Sequence, residues 1–140
     1  MDQATSELNG SRADRVATAR PGNAGVLPFA RAVNEAMRHV QDDHGKPWDA
    51  DRLASAVGVT GPTLRKNFKA SLGVTVTEYV SAVRLEWAHE RLSSGREYRS
   101  IADLAIAAGF RSSTMFTRAY LRRFGEAPSR TRALSVRVMT

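Results

Sequence analysis

The fold is decided by residues 100–125, which read SIADLAIAAGFRSSTMFTRAYLRRFG. Ser100 is a suitable N-cap for a short helix, and Gly109 ends that helix in a tight turn. Ser112 can cap a second helix, which is rich in arginine and stops at Gly125. The stretch therefore predicts two short helices joined by a glycine turn.

The same plan occurs once already, in residues 49–73. Its Leu53, Ala54 and Gly58 reappear unchanged 51 positions later, and after the turn the offset becomes 52. Alanine lies four residues before the turn glycine in both copies, where two helices must approach closely. We call residues 49–73 the first motif and residues 100–125 the second motif. Two helix-turn-helix motifs in one small basic chain are typical of proteins that read neighbouring segments of the DNA major groove.

The rest of the chain predicts further helices and no strand. Apolar residues recur at helical spacing after Pro28, and the capping box Thr75 to Glu78 opens a long helix over about 76–94. A short final helix starts at Pro128. The predicted fold is all-α, with about seven helices and the long helix linking the two motifs. Residues 1–25 have almost no large apolar side chain and predict a disordered tail or linker before a domain at 26–140.

Composition narrows the function further. The chain has 140 residues, a net charge of +7 and a pI near 10.7, which favours a polyanionic partner. It has no cysteine, which excludes disulfides, thiolate metal sites and cysteine nucleophiles. No apolar run approaches the ~20 residues of a membrane span, and we expect a cytoplasmic protein associated with the nucleoid.

Helical phasing predicts which side chains of the two second helices face outward. With Leu64, Phe68 and Leu72 inward, the outward positions of the first motif are Pro62, Thr63, Lys66, Lys69 and Ala70, with Arg65 on the flank. With Phe116, Tyr120 and Phe124 inward, those of the second are Thr114, Met115, Arg118, Leu121 and Arg122, with Ser113 and Thr117 on the flanks. Neither helix carries an acid, so a major groove could accept either surface. The alternative is two solvated basic helices in an ordinary bundle.

Residues from about 28 to 135 resemble the DNA-binding domain of the AraC/XylS family of transcription regulators. The resemblance is carried by Leu53-Ala54 with Gly58, Phe68-Lys69 with Gly73, Tyr79-Val80, Arg84-Leu85-Glu86, and most closely by the second motif with Pro128-Ser129. It implies two helix-turn-helix units joined by a long helix, and a regulator that binds double-stranded DNA sequence-specifically. RNA polymerase is a possible further partner by the same resemblance.

The resemblance also implies which residues meet the DNA bases. They are Arg65 and Lys66, with Pro62, in the first motif, and Ser113, Thr114, Thr117 and Arg118 in the second. From their charge and placement we expect Lys69, Arg111, Arg122 and Arg123 to contact phosphates. We expect no cofactor, no metal ion, no membrane and no small-molecule ligand.

Three positions depart from the family pattern. Thr131 stands where a tyrosine is common, which predicts looser packing of the last helix. Leu121 replaces a residue that is usually polar or charged, and Pro62 replaces a larger side chain. These departures bear on which DNA sequence is read.

Other interpretations remain open at this stage. An enzyme lacks support, because no nucleophile, paired carboxylate or metal-ligand pattern stands out around the three histidines. A degenerate helix-turn-helix that binds a protein partner would have lost its basic outward residues, and they are present. The chain is either a stand-alone regulator, which the initial Met1 favours, or the DNA-binding part of a longer protein.

Overall fold

The computed structural model describes residues 28–139, so the predicted tail at 1–25 lies outside the described residues. Within that range every regular element is a helix, as the sequence predicted. The helices are α1 (Pro28–Asp42), α2 (Ala50–Val57), α3 (Gly61–Leu72), α4 (Val76–Ser93), α5 (Ile101–Ala108), α6 (Ser113–Phe124) and α7 (Pro128–Met139). They form two compact units that divide between Val83 and Arg84, inside α4.

Local capping explains where the helices of both motifs begin. The side chains of Asp49, Thr60, Ser100 and Ser112 each accept a hydrogen bond from the backbone N–H three residues ahead, at the start of α2, α3, α5 and α6. These contacts satisfy donors that have no partner inside the helix. At the start of α4, the Thr75 and Glu78 side chains each accept from the other residue's N–H at 3.0 Å, which confirms the capping box.

The two turns have the same geometry. Gly58 and Gly109 have φ of 78° and 109°, a backbone region that is costly for residues with a Cβ. Residues after each glycine return a hydrogen bond to the alanine of the preceding helix: Val59 N–H to Ala54 O, and Phe110 N–H to Ala105 O, both 3.0 Å. Each turn therefore fixes the angle at which the second helix leaves the first.

Each unit has its own apolar core. In the first, Phe68 of α3 is fully buried and meets the Tyr79 ring edge-on, with centroids 5.4 Å apart. In the second, Phe116 of α6 is fully buried between Phe110 and Tyr120. The second helix of each motif, α3 or α6, is thus anchored through residues that helical spacing placed inward, and we call these two helices the recognition helices.

The last helix is held by a hydrogen-bonded chain, contrary to the looser packing predicted from Thr131. This threonine is 5% exposed, accepts from the Tyr120 hydroxyl at 2.8 Å, and donates to the Glu126 carboxylate at 2.5 Å. Since the Tyr120 hydrogen goes to Thr131, His89 Nδ1, 2.9 Å from the Tyr120 oxygen, must carry the hydrogen of that contact. Burial raises the pKa of Tyr120 to about 12, so the phenol stays neutral.

A buried carboxylate orders the charged segment that leads into the second motif. The Glu97 side chain is 2% exposed and accepts from Arg91 Nε at 3.0 Å and from the Arg99 N–H at 3.1 Å. The Arg99 guanidinium adds an ion pair at 3.6 Å. Burial alone would raise the pKa of Glu97, but these hydrogen bonds and charges outweigh it and hold the pKa below its usual range.

Replacing Glu97 with glutamine should lower the free energy of unfolding by about 1–2 kcal/mol at neutral pH. This is the low end of the stability that a hydrogen bond to a charged group contributes. We expect the low end because the side chains of Arg91 and Arg99 are 43% and 46% exposed, so water screens their charges. The stabilisation by ionised Glu97 is complete above the ordinary pKa of a glutamate. It is lost as pH falls through the lower pKa that Glu97 has in the folded protein. Urea unfolding of both proteins between about pH 7 and pH 3 measures this difference.

The matched control is Glu90→Gln, which changes an exposed acid on the same helix α4. It should alter stability by less than about 0.5 kcal/mol at every pH. A Glu97→Gln effect that stayed constant down to acid pH would contradict the proposed role of its charge.

Candidate nucleic-acid interface

The outward face of α3 matches the phasing predicted from the sequence. Pro62 lies in the first turn of the helix and is exposed. Lys66 and Lys69 are also exposed, and Thr63 is half-buried, with its hydroxyl 2.8 Å from that of Thr60. The inward residues Leu64 and Phe68 are fully buried. This helix therefore offers two lysines to solvent while its opposite side holds the core.

Arg65 is exposed but forms an ion pair with Asp51. Its Nη2 atom lies 3.3 Å from Asp51 Oδ1, and the two side chains are 54% and 75% exposed. Asp51 belongs to the first turn of α2, 14 residues earlier in the chain. Sequence patterns do not indicate this partner, because the contact depends on the angle between two helices.

The second motif brings its four predicted base-contacting residues together. Ser113, Thr114, Thr117 and Arg118 line one shallow, open depression of about 320 Å³ on the surface of α6. Thr114 and Arg118 are exposed, whereas Ser113 and Thr117 are half-buried at its sides. Hydroxyl groups therefore flank a guanidinium that projects away from the core.

The three arginines predicted near phosphates have different surroundings. Arg111 in the turn and Arg122 on α6 are exposed. Arg123 is turned inward: its side chain is 10% exposed and its Nη2 atom lies 3.1 Å from Glu86 Oε2 of α4. Its guanidinium also lies over the Phe124 ring, 5.5 Å from the centroid. This position gives Arg123 a packing role and leaves its guanidinium little exposed surface for a phosphate.

Two apolar side chains share the outward surface of α6. Met115 is 54% exposed and Leu121 is 51% exposed, although both are large enough to favour burial. Helical phasing predicted that both face outward, but they were not among the predicted DNA contacts because their side chains are apolar. Apolar side chains in a major groove can contact the methyl group of thymine, so they belong to the candidate surface.

The charges of the two recognition helices are of one sign. The helix α3 carries Arg65, Lys66 and Lys69, and α6 carries Arg118, Arg122 and Arg123, with no acid on either. Cations on a helix that also presents hydroxyls can bond phosphate oxygens and the acceptor edge of guanine. No helix in the range 28–139 is long and apolar enough to cross a membrane.

The fold and these surfaces define a protein with two helix-turn-helix motifs of the nucleic-acid-binding type. A family model described as a helix-turn-helix domain matches residues 53–134, more than half of the chain. The chain belongs to this AraC-type helix-turn-helix family.

Known relatives and structures agree with that assignment. The chain is 29% identical over 106 residues to the virulence regulon transcriptional activator VirF of Yersinia enterocolitica, covering 76% of this chain and 38% of VirF. It therefore spans well under half the length of that relative. A transcriptional regulator from Chromobacterium violaceum with an AraC-type DNA-binding domain is 29% identical, with a TM-score of 0.68 over 74% of this chain and 91% of the other.

A more distant structure shares the fold. It is the DNA-binding domain of the global transcriptional factor AdpA, solved in complex with a target DNA. The likeness has a TM-score of 0.66 at 20% identity and covers 74% of this chain and 91% of that domain.

Proposed function

We propose that this chain is a sequence-specific DNA-binding transcription regulator that inserts α3 and α6 into successive segments of the major groove. The observation that carries the proposal is the outward face of each helix, to which the helix contributes cations and no acid, opposite a buried aromatic anchor. The similar proteins support it, since they include a transcriptional activator and a regulator domain that was solved bound to DNA.

The polar and charged side chains of the candidate surface have separate roles in this proposal. Arg118 bonds a guanine edge through two N–H groups of its planar guanidinium, whereas Lys66 acts as a point donor. Thr114, Ser113 and Thr117 bond bases or phosphates from the same depression. Arg65 is the second base-contacting residue of α3. The cations proposed to hold phosphates are Lys69, Arg111 and Arg122.

We further propose that the chain acts by binding and not by catalysis, in the cytoplasm on the nucleoid. RNA polymerase is proposed as a protein partner on the family resemblance alone. The competing function, a helix-turn-helix that binds only a protein, is disfavoured by the retained basic residues on both outward faces. Selection of bound sequences from a random duplex pool distinguishes the two, because only a DNA reader enriches a sequence.

Replacing Arg118 with alanine should cost about 1–3 kcal/mol of binding free energy on the selected duplex and much less on random duplex. Its side chain is exposed and does not contribute to the core, so folding should be unchanged. Lys66→Ala should cost less and affect both duplexes more evenly, because a lysine can hold a phosphate in any sequence. Titrations of each variant on both duplexes at one salt concentration measure these losses.

The control is Arg130→Ala, which removes an exposed arginine of α7 outside the second motif. It should produce a small loss of equal size on both duplexes. Equal losses on both duplexes for Arg118→Ala would instead assign Arg118 to the DNA backbone. Specificity would then have to come from Arg65, Thr114 and Thr117.

A further inference from the structure

The ion pair between Asp51 and Arg65 joins the two helices of the first motif at the predicted DNA surface. The Nη2–Oδ1 distance is 3.3 Å, and both side chains are more than half exposed. An exposed pair of this kind contributes little to folding, about 0–1 kcal/mol. Its location on a residue proposed to meet a base therefore suggests a role in binding.

Gly61 makes room for this pair. A Cβ placed on Gly61 would overlap Asp51 Oδ1 and would lie 3.3 Å from Arg65 Nη1. The Asp51 carboxylate thus occupies the space that any other residue's Cβ would take at the first position of α3. The pair depends on three residues together: the acid on α2, the arginine on α3 and the glycine between them.

We propose that Asp51 is a positioning residue that suppresses non-specific binding through Arg65; this inference rests on the proposed function. Asp51 engages one end of the guanidinium and leaves further N–H donors for a base edge. On a preferred DNA site, Arg65 donates a hydrogen bond to the base while it remains paired with Asp51. On other sequences no acceptor is in reach, and the held arginine cannot swing to a phosphate.

Replacing Asp51 with asparagine should raise affinity for random duplex by about 2- to 5-fold, the range expected for an exposed ion pair. Affinity for the selected duplex should change less, so the ratio of the two affinities should fall. Gly61→Ala, which displaces the carboxylate but keeps its charge, should lower the ratio in the same direction. In an Arg65→Ala background, Asp51→Asn should no longer change the ratio. The matched charge control is Glu35→Gln, an exposed acid of α1 in the same unit, which should leave the ratio unchanged.

The outcomes separate this inference from the proposed function. The test uses the full chain, with circular dichroism to verify that each variant folds. A ratio unaffected by Asp51→Asn, or lowered equally in the Arg65→Ala background, would overturn the role of Asp51. A ratio lowered by Asp51→Asn but not by Gly61→Ala would also overturn it, because charge alone would then be acting. Failure of the wild-type chain to bind either duplex would overturn the proposed function instead.

Discussion

Replacing Phe116 with alanine should destabilise the second unit by about 3–5 kcal/mol, the usual cost of removing a buried phenylalanine. The ring is fully buried and meets Phe110 edge-on at 5.4 Å and Tyr120 at 5.5 Å. The cavity would open beneath α6, so the loss would fall on the helix that presents Arg118. Since small domains have only about 5–15 kcal/mol of total stability, much of the unit's folding would be lost.

The first unit also has a buried phenylalanine in its second helix, at the position that matches Tyr120 in the repeat. Phe68 is also fully buried, with Tyr79 edge-on at 5.4 Å, and Phe68→Ala should cost a similar amount. Urea unfolding followed by circular dichroism measures both losses. Because the chain forms two compact units, an unfolding curve with more than one transition is fitted with a separate transition for each unit.

An exposed leucine on the same helix serves as the control for Phe116→Ala. Leu121 is 51% exposed, and Leu121→Ala removes apolar atoms without opening a cavity. It should change stability by less than about 1 kcal/mol. A Phe116→Ala variant with wild-type stability but no DNA binding would show that the assigned inner and outer faces of α6 are wrong.

The features that the sequence predicted well depend on neighbouring residues. A cap needs an acceptor three residues before its donor, and the turn needs a glycine at one position, so Ser112 and Gly109 could be assigned without a structure. The buried sides of α3 and α6 followed from a repeat of apolar residues near every fourth position. The helix ends agree to within a few residues for the same reason: the long helix, predicted over about 76–94, spans Val76–Ser93.

The features that the sequence missed depend on contacts between distant residues. Glu97 belongs to a charged segment, and nothing local indicates that two arginines would hold it in a buried position. Arg123 looks like Arg122 in the sequence, but Glu86, 37 residues away, draws it inward. Thr131 differs from the family pattern, and its partners become apparent only when α6 and α7 are in place. Side-chain pairs between distant residues therefore could not be predicted from the sequence. One of these pairs also removed Arg123 from the candidate phosphate contacts.

The affinity of this chain for DNA should fall steeply with salt. Six cations remain as proposed DNA contacts after Arg123 is set aside: Arg65, Lys66, Lys69, Arg111, Arg118 and Arg122. Cations that contact base edges in the groove also lie close to phosphates, so if all six displace condensed counterions the slope of log K against log salt concentration is about −5. Between 50 and 200 mM salt that slope corresponds to a loss of affinity of roughly 10³-fold.

Two adjacent arginines make this prediction specific to the geometry. Arg122 is exposed, and Arg122→Ala should reduce the slope by about 1. Arg123 is paired with Glu86 and 10% exposed, so Arg123→Ala should lower the thermal stability and leave the slope unchanged below the melting temperature. Fluorescence anisotropy titrations at four or more salt concentrations give the slopes. A wild-type slope near zero would contradict DNA binding as the function, and a slope reduced equally by both variants would contradict the inward position of Arg123.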